Sequence, residues 1–221
     1  MLQHFLRLLT ATTLGLGVAL SMAVGMAVSG AVSGLVSGAS AQDAPVRIRG
    51  TIEKVEGDTY VVKARDGVDL KLKLAPNAAV VALVQATAAD IKPGSYIGVA
   101  GMPQADGSQK ALEVHIFPES MRGVGDGHRG WDLQASSTMT NGSVEATAAA
   151  SDGQTVTLKY KDGEKKIAIP AGIPIVLYVP GELGELKPGA KIFVSAANKQ
   201  PDGTLQAGRV NVGRGGVAPP M

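Results

Sequence analysis

The 221-residue chain carries 18% charged residues, a formal charge of +2, three histidines and no cysteine. That composition excludes a disulfide framework, a cysteine-ligated zinc or iron–sulfur centre and a cysteine nucleophile. The small net charge argues against a nucleic-acid binder, because neutralising phosphates needs a net positive field, and the modest charge content argues against a disordered chain.

From the amino terminus, no charged residue separates Arg7 from Asp43, residues 8–36 are apolar or small, and Ala39-Ser40-Ala41 before Gln42 is an A-x-A exit. A basic residue, an apolar run and a small-residue exit read as a signal peptide over 1–41, with the remainder periplasmic or secreted. No twin arginine is present, so the general secretory route is expected. The run is also long enough to cross a bilayer, and Gly30, Gly34 and Gly38 recur at a spacing that packs membrane helices. A retained anchor is the alternative, and only then is a membrane a partner. An intact mass beginning at Gln42 decides for cleavage.

Beyond the leader the pattern is written twice. Asp66-Gly67 returns as Asp162-Gly163, Lys92-Pro93-Gly94 as Lys187-Pro188-Gly189, and Asp106-Gly107 as Asp202-Gly203, at offsets of 96, 95 and 96. Between these turns the period is two. Val68, Leu70, Leu72 and Leu74 alternate with Asp69, Lys71 and Lys73, which puts one face in a core and the other in water. The Asp-Gly pairs supply the positive φ of tight hairpins. Five or six short strands in about 70 residues must close to protect their edges. The expectation is an all-β chain of two tandem small β-barrels of the OB or SH3 kind, over 46–117 and 142–213. Thr87–Ile91 is the one candidate helical turn. The glycine- and proline-rich end, 214–221, reads as a disordered tail.

The segment between the modules, 118–141, exceeds the roughly 12–15 residues beyond which an unstructured loop is usually functional or a linker. It holds the sole tryptophan, Trp131, with Arg122, Arg129 and Asp132 nearby and glycines at 123, 125, 127 and 130. Flexible glycines before a lone aromatic suggest an arm whose ring docks. As a ligand or partner site, Trp131 stacks while the arginines hold an anion; as architecture, Trp131 plugs a groove between barrels.

A metal site is the sharper alternative. Glu113 and His115 lie two apart on a strand and share a face, and Asp126 and His128 repeat the carboxylate-x-histidine spacing. Two histidines and two carboxylates suffice for a divalent ion such as zinc. The matching positions in the second module are Arg209 and Asn211, so such a site is not part of the barrel itself. No Gly-x-Ser-x-Gly elbow, Walker sequence or dinucleotide fingerprint accompanies these residues, so no enzyme is expected.

Arg49–Glu53, Ala89–Gly94, Met102–Glu119, His128–Gln134 and Leu158–Gly163 resemble an uncharacterised family of exported proteobacterial β-barrel proteins, over nearly all of 46–221. The resemblance implies a domain of unknown function and transfers no catalytic residue. Members are sometimes labelled metal ABC transporter permeases, a label at odds with a chain whose leader alone is long and apolar enough to span a membrane. The expected function is an exported, non-catalytic binding or structural module of the cell envelope, taking an unknown envelope protein or small ligand and no nucleic acid. A periplasmic metal-binding accessory protein is the alternative, with a divalent metal as the one candidate cofactor.

Overall fold

A computed structural model describes residues 44–220, and the expected leader over 1–41 lies outside the described residues. In chain order the strands are β1 (Val46–Glu56), β2 (Thr59–Ala64), β3 (Asp69–Gln85), β4 (Tyr96–Pro103), β5 (Gln109–Phe117), β6 (Gly127–Gly130), β7 (Thr138–Ala150), β8 (Gly153–Tyr160), β9 (Gly163–Pro170), β10 (Ile175–Pro180), β11 (Lys191–Lys199) and β12 (Leu205–Gly213). Short 3-10 turns cover Ala88–Asp90, Glu119–Met121 and Leu183–Glu185. The chain is all-β, and no helix among the described residues is long and apolar enough to cross a membrane.

The turn chemistry acts locally. Asp66, Asp106 and Asp202 each accept the amide of the residue two positions on, at 3.1, 3.0 and 2.9 Å, while Gly67, Gly107 and Gly203 follow at φ of 87°, 81° and 80°. The carboxylate replaces the missing ladder bond and glycine takes the left-handed conformation, which turns β2 into β3, β4 into β5 and β11 into β12. At Thr87 the amide and hydroxyl both donate to Asp90 at 2.8 Å, starting the 3-10 turn.

Pairing then departs from the sequence order. β1, β2, β3, β12 and β11 form a closed five-stranded barrel, with β3 and β12 parallel and the other contacts antiparallel. Its interior holds Ile48, Ile52, Val62, Leu72, Ile192, Val194, Val210 and Val212. A second cycle runs β4, β7, β8, β9 and β5, closed by a short parallel contact of Gln109 and Lys110 with Ile167 and Ala168. Ile97, Val99, Val114, Val156, Leu158, Ile167 and Ile169 fill it. β10 lies between the cycles, antiparallel to β3 and parallel to β5, with Tyr178 opposite Leu83.

The expectation that 46–117 and 142–213 each close on themselves is therefore corrected. Each cycle takes three strands from one half of the chain and two from the other. The reason lies in β3. It does not fold back but continues through an irregularity around Pro76, where Ala207 pairs with Leu74 and Arg209 with Ala79. Proline offers no amide to the ladder there. The chain leaving β3 emerges beside the other cycle, and β4 and β5 join it. Two boundaries also change. Residues 138–141 of the inter-module segment are the start of β7. The tail is ordered through 220, with Val217 packed on the apolar cluster between the cycles, Pro219 buried and Arg214 paired to Glu185 at 2.7 Å.

Interlocking has a mechanical consequence. A protease site placed at 133–136, a largely exposed turn where Ser136 has φ of 62°, can be cut without breaking a strand, leaving each cycle assembled from strands of both pieces. The two pieces are expected to elute together in native buffer and to part only in denaturant. Separation in native buffer contradicts the pairing.

Candidate functional site

Between the cycles sits a third apolar cluster of Leu83, Val176, Tyr178 and Phe193, with Phe117, Met121, Trp131 and Val217 against it. Leu83, Phe117, Val176, Tyr178 and Phe193 project from the outer faces of the strands whose inner faces fill the cores, as alternation requires. The segment 118–137 lies over them as a strap, fastened in three places. Arg122 donates to both Glu119 oxygens at 2.5 and 2.7 Å, to Gly94 O at 2.8 Å and to Ser143 Oγ at 3.0 Å. Asp126 accepts the Lys161 amide at 2.7 Å and lies 3.3 Å from the Tyr96 hydroxyl, whose pKa is pushed up to about 12 by burial first and by Asp126 second. Asp132 accepts from Arg49 at 2.7 and 3.3 Å and from Arg47 at 3.1 Å.

Trp131 is held within this last fastening. The Arg47 guanidinium lies 4.3 Å from its ring centre and that of Arg129 5.7 Å. Its amide donates to Ser137 O at 2.8 Å and its carbonyl accepts from Ser137 Oγ at 2.9 Å. The hydrogen bond from Arg49, with Arg47 adding to it, holds the Asp132 carboxyl down at about 2 against an ordinary 3.8. A depressed carboxylate contributes its stability above the unfolded pKa and loses it as pH falls toward the folded one. Asp132 is about half exposed, so screening keeps the contribution under about 1 kcal/mol. Asp132→Asn is expected to lower the melting temperature by roughly 2–3 °C at pH 7 and to open Trp131 to acrylamide quenching. The difference from wild type should close between about pH 4 and pH 2. Unchanged quenching at pH 7 removes Asp132 as a fastening.

Beneath Trp131 is a pocket of about 100 Å³ lined by His115, Asn141, Asn211, Tyr178, Phe117, Phe193, Arg129 and Arg209, among others. His115, Asn211 and Asn141 are only 1%, 4% and 5% exposed. Yet Asn141 Oδ1, Asn211 Oδ1 and Trp131 Nε1 have no hydrogen-bond partner within the protein, and His115 Nε2 has only the equally unbonded Glu113 Oε1, 3.4 Å away. Such a buried group costs about 1–3 kcal/mol, and native proteins keep few of them. Buried Gln109 in the second core makes the contrast: it donates to Thr138 O and Oγ1 at 3.0 Å and accepts from Thr140 at 2.9 Å. Unsatisfied polarity gathers at the pocket. Tyr178 meets Phe117 at 4.8 Å and His115 at 6.0 Å between ring centres. Burial pushes its phenol far above the ordinary value, with the Glu113 carboxylate adding to the shift, so it enters as a neutral hydroxyl. A cleft of about 460 Å³ beside Lys187 is larger but is lined mainly by glycines and exposed charged residues.

The four residues expected to share a metal are not brought together, and no group of three or more candidate ligands occurs among the described residues. The register gives the reason. Asn141, Gly98 and His115 stand opposite one another across β7, β4 and β5, and Thr140 stands opposite Val99 and His128 in the adjacent row. Opposed residues share a face and adjacent rows alternate, so His115 and His128 project from opposite faces. Glu113 stays with His115, 3.4 Å away and buried beside it. His128 instead contacts Thr140 Oγ1 at 2.8 Å and stacks near Tyr160, and Asp126 is taken up by the strap. Of the expected four ligands only Glu113 and His115 remain together, and Asp126 and His128 are each taken up by other residues.

The expected ligand set divides as well. Trp131 and Arg129 border the pocket, Asp132 fastens the strap, and Arg122 is committed to Glu119 on another part of it. Sequence reasoning missed Arg47, Asn141, Arg209 and Asn211. The last two sit at the repeat offset from Glu113 and His115, so polar residues recur at outward strand positions in both halves. That recurrence is the signal that marks the buried face. No family model, curated protein or solved structure matches the chain.

Proposed function

We propose that the chain is an exported, non-catalytic binding module of the cell envelope and that it binds a small ligand in the pocket beneath Trp131. The observation that carries this reading is the cluster of buried polar atoms on Asn141, Asn211 and Trp131 without protein partners around one cavity. Folding tolerates such atoms where a ligand or solvent completes them. The pocket also has the usual make-up of a small-molecule site, with aromatic walls and a few convergent polar groups. Export rests on the leader pattern, and the non-catalytic assignment on the lack of a recognisable catalytic motif in the sequence.

The pocket's position fits a duplicated unit whose halves have exchanged their last hairpins. In such an arrangement Leu83 and Tyr178, at the repeat offset of 95, pair across the junction, and the two halves supply matched positions such as His115 and Asn211. Divergence between the halves then makes one asymmetric pocket from two similar faces.

Thermal melts of the protein purified from cells expressing the whole chain, against a panel of small polar molecules, test the proposal. At least one compound is expected to raise the melting temperature of wild type and not of Trp131→Ala, with or without chelator. A panel that stabilises neither protein, or both equally, contradicts it. Stabilisation by zinc, copper or nickel that chelator removes puts the metal-binding accessory reading first.

A further inference from the structure

We propose that the pocket takes a small organic monocarboxylate that also carries a hydroxyl, an α-hydroxy acid in its simplest form. The inference rests on the pocket being the binding site and adds the class of molecule. Size sets the first limit. Roughly 150 Å³ accommodates the six carbons of benzene, so about 100 Å³ admits a ligand no larger than about six non-hydrogen atoms.

Charge sets the second limit. Two arginines, Arg129 and Arg209, line the pocket, whereas the neighbouring carboxylate, Glu113, is not among the lining residues and lies 3.4 Å from His115 Nε2. A cation would enter against two like charges, whereas a carboxylate gains charge-assisted hydrogen bonds. Arg129 is held in place by the Gly125 carbonyl, which accepts from Nη1 at 2.7 Å. Trp131 Nε1 can only donate, which again asks for an acceptor on the ligand.

The second functional group follows from Asn141. Its Nδ2 donates to Val124 O at 2.9 Å, which fixes the carboxamide so that the unpartnered atom is the acceptor Oδ1. Gly98 leaves room for that oxygen: a Cβ there would lie 2.7 Å from it. An acceptor held in this way selects a ligand donor, which acetate lacks and glycolate or lactate has.

Trp131 is the sole tryptophan, so its fluorescence reads this pocket alone. The whole-chain protein is titrated at constant ionic strength with glycolate, lactate, acetate, acetamide and ethylammonium. Glycolate and lactate are expected to give saturable changes, on the order of millimolar or tighter. Acetate should bind several-fold more weakly, and acetamide and ethylammonium should give no saturable change. Arg209→Gln is expected to weaken glycolate at least roughly tenfold, with Arg209→Lys recovering part of it. Asn141→Ser should erase the preference for glycolate over acetate, a readout that survives if an Arg209 variant fails to fold. A saturable response to acetamide or ethylammonium without one to the carboxylates overturns the ligand class and leaves the pocket as the binding site. Silence from all five probes alongside hits in the thermal panel also overturns only the class; silence in both overturns the site as well.

Discussion

Replacing Phe193 with alanine is expected to lower the melting temperature by roughly 6–20 °C. Phe193 is buried on the outer face of β11, where it meets Leu83 of β3 and Tyr178 and Val176 of β10, with the Arg49 guanidinium 5.2 Å from its ring centre. It is therefore common to the closed barrel, the linking strand and the pocket wall. Truncating a buried phenylalanine costs about 3–5 kcal/mol from lost transfer energy and the cavity left behind. In a domain of this size each kcal/mol shifts the transition by roughly 2–4 °C. The same cavity enlarges the pocket, so Trp131 emission should move to longer wavelength in the folded variant. A shift in melting temperature below about 3 °C shows that the two cycles do not depend on this cluster.

Gly142→Ala is expected to cost roughly 3 kcal/mol through the backbone. A Cβ at Gly142 would stand 2.5 Å from Lys159 O and 3.0 Å from its carbonyl carbon, while the neighbouring pair Ser143 and Lys159 holds β7 against β8. No side chain can yield to make room, so the ladder itself must shift. Gly50 holds the corresponding place in β1, where an added Cβ would meet Lys63 O. Gly208, in β12, supplies the control: nothing lies within 4 Å of its added Cβ, and Gly208→Ala should leave stability within about 0.5 kcal/mol. Urea denaturation of the three proteins checks the contrast. Equal midpoints for Gly142→Ala and Gly208→Ala contradict the close approach.

What the sequence makes legible follows from the range of each signal. The Asp-Gly turns and the alternation at 68–74 are local, and they identify hairpins and inward faces correctly because a pleated strand has a period of two. Alternation does not say which strand lies alongside. Nothing near Gln85 tells that β4 and β5 will pair with β7 and β9, so a barrel is expected within each half, whereas the closed barrel and the second cycle both draw strands from the two halves. The same limit governs the site. Glu113 and His115 share a face as their spacing demands, but that face is covered by a strap and not by water. Trp131 stands out because it is the only tryptophan. Arg47 does not, since its contact with Trp131 spans 84 positions and depends on Asp132 reaching β1. Asn141 and Asn211 are ordinary surface residues by composition, and only the register brings their oxygens under Trp131.

Because Trp131 is unique, a 15N–1H spectrum of the protein contains a single indole resonance, and that resonance reports the atom on which the account turns. Addition of glycolate is expected to move it progressively to a plateau, by hydrogen bonding to Nε1, and to leave it unmoved in an Asn211→Leu variant whose pocket is filled. An indole resonance that stays fixed in wild type while other resonances follow the titration would place binding elsewhere and contradict a site beneath Trp131.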